Sequence, residues 1–368
     1  MKSLKIGEVV APLPIIQGGM GVMISMAGLA SAVANEGCVG VIATAGIGMF
    51  EADLFTNFLE ANNRALRTEI RKARALAPGG ILGVNIMVAL SNYAELARTA
   101  IEEKIDIIFS GAGLPLNLPE LLQGRRTTKI VPIVSSGRAA SLIIKRWLSK
   151  FDYAPDAIVV EGPLAGGHLG FRPEHIDDPQ YALEILIPEV LAAVRPFEES
   201  IGRPIPVIAA GGIYTGQDID KFLEMGAAGV QMATRFVGTE ECDCSPIFKQ
   251  AYLNSRKEDI VIIKSPVGLP GRAIRNGFID ATNAGEKMPY SCPYHCIITC
   301  ETKTSPYCIA MALANAFKGK LKGGFAFAGA NAYRVKEITT VKKLIESLKN
   351  EYQMAIEGRR DCSPSSGI

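Results

Sequence analysis

Residues Ala157–Phe171 read AIVVEGPLAGGHLGF. Ala157–Val160 is short, apolar and β-branched, as expected of a strand buried on both faces. Beyond it the chain sheds almost all side-chain bulk at Ala165-Gly166-Gly167 and then presents one imidazole, His168. Backbone without Cβ atoms lets a ligand lie flat against it. Histidine gives or takes a proton near neutral pH, and the chain has only three histidines. The stretch taken alone fits equally well a glycine-rich turn whose histidine is satisfied by local hydrogen bonds.

Similar runs lie on both sides. Leu13–Ile16, Val39–Thr44, Ile81–Met87, Ile105–Ser110 and Ile130–Val134 precede it; Pro206–Ala210 and Gly229–Ala233 follow. Helical patterns over Ala27–Glu36, Glu51–Leu76, Tyr93–Glu103, Gly137–Lys150, Tyr181–Ala193 and Gly216–Met225 separate most of them. Eight such units in about 240 residues predict an α/β fold, a (β/α)8 TIM barrel. A doubly wound sheet is the competing topology, but no GxGxxG opens a helix after the first strand. The special residues favour the barrel: Gln17-Gly18-Gly19, Asn85, Ser110-Gly111, Gly166-Gly167-His168, Gly211-Gly212 and Gln231–Thr234 all fall at C-terminal strand ends. A barrel gathers those ends on one face, where active sites are built. The expected organisation is a barrel over residues 1–250 and a C-terminal, cysteine-containing helical cap over 251–335. A C-terminal helix, Val341–Lys349, and a tail fraying from Glu357 complete it over 336–368.

Composition narrows the function classes. The chain is 48% hydrophobic and 21% charged with a net charge of +2, which suits a globular enzyme acting on a small molecule. No basic block suggests nucleic acid, and no apolar run approaches membrane-spanning length. The N-terminus lacks a signal-peptide pattern, so the expected location is the cytoplasm, with homo-oligomerisation open. In that compartment the eight cysteines argue for reduced thiols or metal ligands rather than disulfides.

Two strand ends point to phosphate. Pro206–Thr215, PVIAAGGIYT, runs a strand into Gly211-Gly212 and then a helix; Gly229–Phe236, GVQMATRF, ends a strand in Ala-Thr-Arg. The bare N–H groups of Gly211 and Gly212, helped by the following helix N-terminus, suit a phosphate dianion, and Thr234 adds its hydroxyl and N–H. The loops after strands seven and eight are the common phosphate site of barrels. Arg235 either assists by charge or pairs with an acid on the outer helices.

With these pieces assembled, the chain resembles the nitronate monooxygenase (2-nitropropane dioxygenase) family of flavin barrels, related to the FMN-dependent enoyl-acyl-carrier-protein reductase. The matching motifs are PIIQGGMG (Pro14–Gly21), GVNIM (Gly83–Met87), SGAG (Ser110–Gly113), AGGHLG (Ala165–Gly170), VIAAGGI (Val207–Ile213) and GVQMATRF. The resemblance implies non-covalent FMN on the C-terminal face. Gln17, Gly18, Gly19, Met20 and Asn85 would line its ring and ribityl chain, above Gly166 and Gly167. Gly211, Gly212, Gln231, Met232, Ala233 and Thr234 would surround its phosphate end, and His168 takes the position of the family's active-site histidine. It implies oxidation of alkyl nitronates or nitroalkanes through flavin with dioxygen, His168 acting as base or hydrogen-bond donor. On the same barrel, an NAD(P)H-dependent enoyl-acyl-carrier-protein or quinone reductase is the alternative, with NAD(P)H a transient donor. A non-enzymatic flavin- or phosphate-binding barrel is the alternative from another class.

The cap is where the chain departs from that family. Ser291–Cys308 reads SCPYHCIITCETKTSPYC, placing Cys292, Cys296 and Cys300 at i, i+4 spacing with Cys308 beyond. On a helix those three thiols share a face, so the four cysteines are candidate ligands for zinc or an iron–sulfur cluster. Buried cysteines serving as compact apolar residues are the alternative. Cys242 and Cys244, in ECDC, are expected near the same region. Ser265–Arg272, SPVGLPGR, is a connection suited to lying over the flavin. Gly323–Tyr333, GGFAFAGANAY, either closes over the flavin edge or makes a tight helix–helix contact.

Overall fold

The computed structural model of the chain describes residues 1–288 and 290–362. It opens with a hairpin that has no counterpart among the expected strands, β1 (Leu4–Ile6) and β2 (Val9–Ala11). The first barrel units follow: β3 (Ile15–Gln17), α1 (Ala27–Asn35), β4 (Val39–Ala43), α2 (Phe58–Leu76), β5 (Ile81–Met87) and α3 (Tyr93–Glu102). Next come β6 (Ile107–Gly111), α4 (Leu118–Leu121), β7 (Lys129–Val134), α5 (Gly137–Phe151) and β8 (Ile158–Glu161). A two-residue strand, β9 (Gly167–His168), leaves the barrel before α6 (Leu183–Ile201), β10 (Val207–Ala210), α7 (Gly216–Glu224), β11 (Gly229–Met232) and α8 (Thr234–Val237).

Strands β3 to β8, β10 and β11 form a closed parallel barrel. Closure is made by β11 against β3, with Gln231 opposite Ile16. Side-chain alternation along each strand divides the apolar residues into two layers. On β8, Ile158 and Val160 face the helices while Val159 fills the barrel. On β10, Val207 and Ala209 face outward while Ile208 and Ala210 face inward. The β1–β2 hairpin contributes Leu4, Ile6 and Ala11 to the inner layer. Covering Leu4 and Ile6, each 1% exposed, is worth roughly 1.5–3 kcal/mol apiece. The hairpin plugs that end of the barrel, while the C-terminal ends of the strands border a cavity.

Two helices differ from expectation. α2 begins at Phe58 rather than Glu51, because the preceding residues form turns pinned by Arg64 to Glu51 (2.8 Å) and to Asp53. α6 continues past Ala193 through Pro196, ending at Gly202 in the left-handed region (φ 68°). Val190 and Val194 bury against the barrel and hold the helix across the proline.

After the barrel come α9 (Pro246–Asn254), β12 (Ile260–Lys264), β13 (Pro270–Ile274), α10 (Gly277–Asn283), α11 (Ile309–Phe317) and α12 (Val341–Cys362). The cap is therefore not wholly helical: β12, β13 and β9 make a three-stranded antiparallel sheet. α12 packs on α7 and α1, with Glu351 Oε2 accepting from Gly216 N–H at 2.8 Å. It serves as an outer helix of the barrel, and it runs on where fraying was expected from Glu357. Residues 363–368 of that tail, and the Cys362 side chain, lie outside the described residues. No helix among the described residues is long and apolar enough to cross a membrane.

Candidate active site

The barrel's C-terminal face opens into two adjoining lobes that share Gly19, Glu161, Gly166, Gly167, Gln231 and Phe327. One lobe adds Gly18, Met20, Gly211, Gly212, Met232, Ala233 and Thr234; the other adds Asn85 and His168. The exception among the expected cofactor residues is Gln17. Its side chain is fully buried in the barrel wall, Nε2 donating to Gly18 O at 2.5 Å and Oε1 accepting from Val41 N–H at 3.0 Å. It stiffens the Gly18-Gly19 turn and lines neither lobe.

The first lobe fits a phosphate through two of the expected donors, Gly212 and Thr234, but without the helix N-terminus. The first turn of α7 is not available, because the protein already satisfies it. Asp218 accepts from Tyr214 and Thr215 N–H, Thr215 Oγ1 from Asp218 N–H, and Glu351 from Gly216 N–H. Among the described residues, however, the N–H groups of Gly212, Thr234 and Gly329 donate to no protein acceptor. These three residues line one lobe, and unpaired N–H groups there suit a dianion. Arg235 settles on the second of its two readings: Nη1 pairs with Glu351 Oε1 at 3.0 Å and the guanidinium lies over the Tyr214 ring.

Gly323–Tyr333 closes this lobe. Asn331 Nδ2 donates to Gly212 O at 2.6 Å, Ala330 N–H to Leu164 O at 3.1 Å, and Tyr252 Oη to Phe327 O at 2.6 Å. The crossing is tight. A Cβ on Gly166 would stand 2.5 Å from Gly329 N, and one on Gly329 would stand 2.6 Å from Thr234 Oγ1. At Gly167 the reverse holds: its φ is +75° and a Cβ there would meet nothing within 4 Å, so this backbone faces open space. A bare, flat floor beside unpaired phosphate donors fits FMN.

The second lobe is organised by β9. Gly271 of β13 sits opposite His168, and Arg272 opposite Gly167. Arg272 is 5% exposed, and its Nη1 donates to Pro163 O and Ala165 O at 2.5 and 2.7 Å, fixing the loop that leads to the glycine floor. His168 Nε2 lies 2.7 Å from Ser265 Oγ, and its ring packs edge-to-face on Phe327. Burial lowers its pKa to about 4, so the imidazole is neutral at pH 7. Glu161, at the end of β8, borders both lobes with no hydrogen-bond or ion-pair partner among the described residues. Burial raises its carboxyl to about 7. Ser265, Arg272, Phe327 and Glu161 escaped the sequence reading as site residues. SPVGLPGR and GGFAFAGANAY marked the right segments, but only the β9–β13 pairing says which side chains turn inward.

The expected metal set is not assembled as predicted. Residues 291–308 form turns and irregular backbone rather than a helix, so i, i+4 spacing does not align Cys292, Cys296 and Cys300. Among the described residues, no three His, Cys, Asp or Glu side chains are grouped to hold a metal ion. His295 Nε2 is engaged with Cys300 O at 2.8 Å. Cys242 and Cys244 pair with each other, their sulfurs 3.5 Å apart, buried beside the barrel.

Comparison with known proteins agrees with this geometry. The chain is 27% identical over 274 residues to (3aS,4S,5R,7aS)-5-hydroxy-7a-methyl-1-oxo-octahydro-1H-indene-4-carboxyl-CoA dehydrogenase of Mycobacterium tuberculosis, covering 74% of this chain and 66% of that protein. It is 37% identical over 127 residues to the "Probable nitronate monooxygenase" of Staphylococcus aureus strain Newman, covering 34% of this chain and 33% of that protein. The match thus spans just under two-thirds of the first relative and a third of the second. FabK from Thermotoga maritima superposes with a TM-score of 0.74 at 27% identity, over 95% of each chain. Nitroalkane oxidase from Streptomyces ansochromogenes superposes with a TM-score of 0.72 at 21% identity, over 95% of this chain and 98% of that one, a likeness of fold. The profile of the nitronate monooxygenase family matches residues 2–351, through the barrel, the glycine floor and the cap alike, and this chain belongs to that family.

Proposed function

We propose that the protein is an FMN-dependent oxidoreductase of nitronate monooxygenase type, acting on alkyl nitronates with dioxygen as electron acceptor. The observation that carries this reading is His168: a neutral, half-buried imidazole held by Ser265 beside the bare Gly166-Gly167 floor. FMN, when bound, supplies the electron chemistry. Gly212, Thr234 and Gly329 would hold its phosphate, while Gly18, Gly19, Gly166, Gly167, Asn85 and Gln231 would surround the rest.

The chain's own part is orientation and charge. An imidazole with a pKa of about 4 takes a proton from a neutral nitroalkane only weakly. A nitronate has already lost that proton and needs only a hydrogen bond to an oxygen, which a neutral imidazole donates through one ring nitrogen. Ser265 engages Nε2 and so sets the ring plane. Phe327 and the apolar wall of the lobe exclude water around the reacting carbon.

The second reading is reduction of an activated alkene on an acyl thioester, with NAD(P)H as transient donor. One observation favours it: the His168 lobe extends along Met49, Leu54, Phe58, Leu90 and Ile309, a longer apolar wall than a small nitronate needs. His168 would then hydrogen-bond the developing enolate oxygen. Anaerobic mixing separates the two. Bleaching of the flavin by an alkyl nitronate but not by NADH or NADPH supports the first reading; bleaching by the nicotinamides alone overturns it.

Two variants test the lobes separately. Thr234→Ala removes the hydroxyl that faces the phosphate lobe. Titration of the apoprotein with FMN should give a Kd about tenfold higher, from one lost charge-assisted hydrogen bond. Ser265→Ala frees the His168 ring without touching the phosphate lobe. It should lower kcat about tenfold at unchanged FMN affinity, the pattern of a positioning residue. An unchanged kcat would remove Ser265 from that role.

A further inference from the structure

We propose that the N-terminal face of the barrel carries an anion site for a small phosphate dianion, formed under the turn of the β1–β2 hairpin. A cavity of about 320 Å³ lies there, between that turn and the loops leading into β7, β8 and β10. Lys5, Arg126, Lys129 and Arg203 line it together with Glu8 and Asp156. Four cations against two carboxylates leave two positive charges in excess. None of these residues borders the lobes at the other end of the barrel, so the site is independent of the function proposed above.

The charge is built into the fold. Lys129, the first residue of β7, is 5% exposed, and a Cβ on Gly7 would stand 2.9 Å from its Cδ, so the hairpin turn closes over the lysine stem. An ammonium has three N–H donors. The protein takes two of them, through Arg126 O at 2.7 Å and the Glu8 carboxylate, and the third has no acceptor among the described residues. The Arg126 guanidinium lies over the Tyr153 ring at 5.5 Å, and its N–H groups likewise have no acceptor among the described residues. Arg203 is pinned at the rim, donating to Ala154 O at 2.8 Å and Pro155 O at 3.3 Å. The two acids differ. Asp156 is committed to the scaffold, its Oδ2 accepting from Ile130 N–H at 2.9 Å and from the Tyr153 hydroxyl at 2.6 Å. The Glu8 side chain is 84% exposed and is held through Lys129, so a ligand oxyanion can displace it from the ammonium. Cations arriving from four separate segments suit the tetrahedral spread of phosphate oxygens, and Arg126 offers the bidentate fork.

The test is titration calorimetry of the full chain with inorganic phosphate at fixed ionic strength, after saturation with FMN to fill the lobe of Gly212, Thr234 and Gly329. Binding of one phosphate per chain is expected. Arg126→Ala should weaken it about tenfold, from one lost charge-assisted pair. Glu8→Gln removes the competing carboxylate and should tighten it about threefold or more. Both side chains are exposed, and a circular dichroism melt in phosphate-free buffer checks that each variant folds. Flavin that does not stay with the chain would sink the function proposed above and leave this test standing, because phosphate in the Gly212 lobe is indifferent to both substitutions. No phosphate bound by the wild type, an affinity that neither variant moves, or succinate bound as tightly as phosphate overturns the proposal.

Discussion

His168→Gln should keep its flavin and lose turnover by about a hundredfold or more, the range for removing a positioned proton or hydrogen-bond partner. Flavin is retained because His168 lines the substrate lobe and makes no part of the phosphate lobe, where Gly212, Thr234 and Gly329 present their N–H groups. Stopped-flow reduction by an alkyl nitronate measures the loss, and the flavin spectrum checks the retention. An unchanged reduction rate would remove His168 from the chemistry. The pH dependence of stability gives a second readout with a definite sign. The folded pKa is about 4 and the ordinary value 6.5, so between those two the unfolded chain binds more protons than the folded one. The wild-type fold therefore loses stability as pH falls from 6.5 towards 4, by roughly 3 kcal/mol in the limit. His168→Gln lacks that loss, and its melting temperature should fall less across the same interval. Glu161, raised to about 7 by burial, acts with the opposite sign: it stabilises the fold at low pH and the contribution is lost as pH rises through 7. A stability limb near pH 7 should therefore persist in the His168 variant.

The barrel was legible because its strands are buried on both faces and so read as short apolar runs, with glycines collecting at the ends that face the ligand. Ile81–Met87 matches β5 in full, and the other strands fall within two residues of their expected limits. The β1–β2 hairpin was missed because Leu4, Ile6 and Ala11 are too few and too scattered to show a period, and only the barrel's open end makes them core. Glycine pointed to the lobe that Gly211, Gly212 and Thr234 line, but the help expected from the following helix N-terminus is not open to a ligand. Sequence spacing shows that a helix follows Gly212; it does not show that Asp218 and Glu351 occupy its first turn. Ser265 and Phe327 reach His168 from segments 97 and 159 residues away, through strand pairing between β9 and β13 that no local pattern announces. The helix considered for Cys292, Cys296 and Cys300 does not form, so their i, i+4 spacing does not align them. Pro293 and the β-branched run Ile297-Ile298-Thr299 disfavour helix in SCPYHCIITC, and the stretch folds as turns and irregular backbone instead.

Gly166→Val should abolish flavin retention through purification while leaving a folded barrel. The glycine lies where Ala165–Gly167 crosses the returning segment Ala328-Gly329, and a Cβ there would stand 2.5 Å from Gly329 N and 2.6 Å from Ala328 C. Both are backbone atoms, so no side-chain rotation relieves the clash. The returning segment must move, and with it the Gly329 N–H that faces the phosphate lobe and the Asn331 bond to Gly212 O. Overpacking of this kind costs about 1–3 kcal/mol. Because the strain is relieved by opening the lobe, most of it should appear as lost affinity, up to roughly a hundredfold in Kd for FMN. The apolar layers between strands and helices are untouched, so far-ultraviolet circular dichroism should match the wild type. Gly167→Ala, one residue on, separates crowding from backbone strain. Its added methyl would meet nothing within 4 Å, and the cost comes from the φ of +75° alone. That variant should bind FMN more tightly than Gly166→Val does, with a lowered melting temperature. Equal flavin loss in both variants would mean that the glycine floor matters for its backbone angles, and the close crossing at Gly329 would then have no part in holding the cofactor.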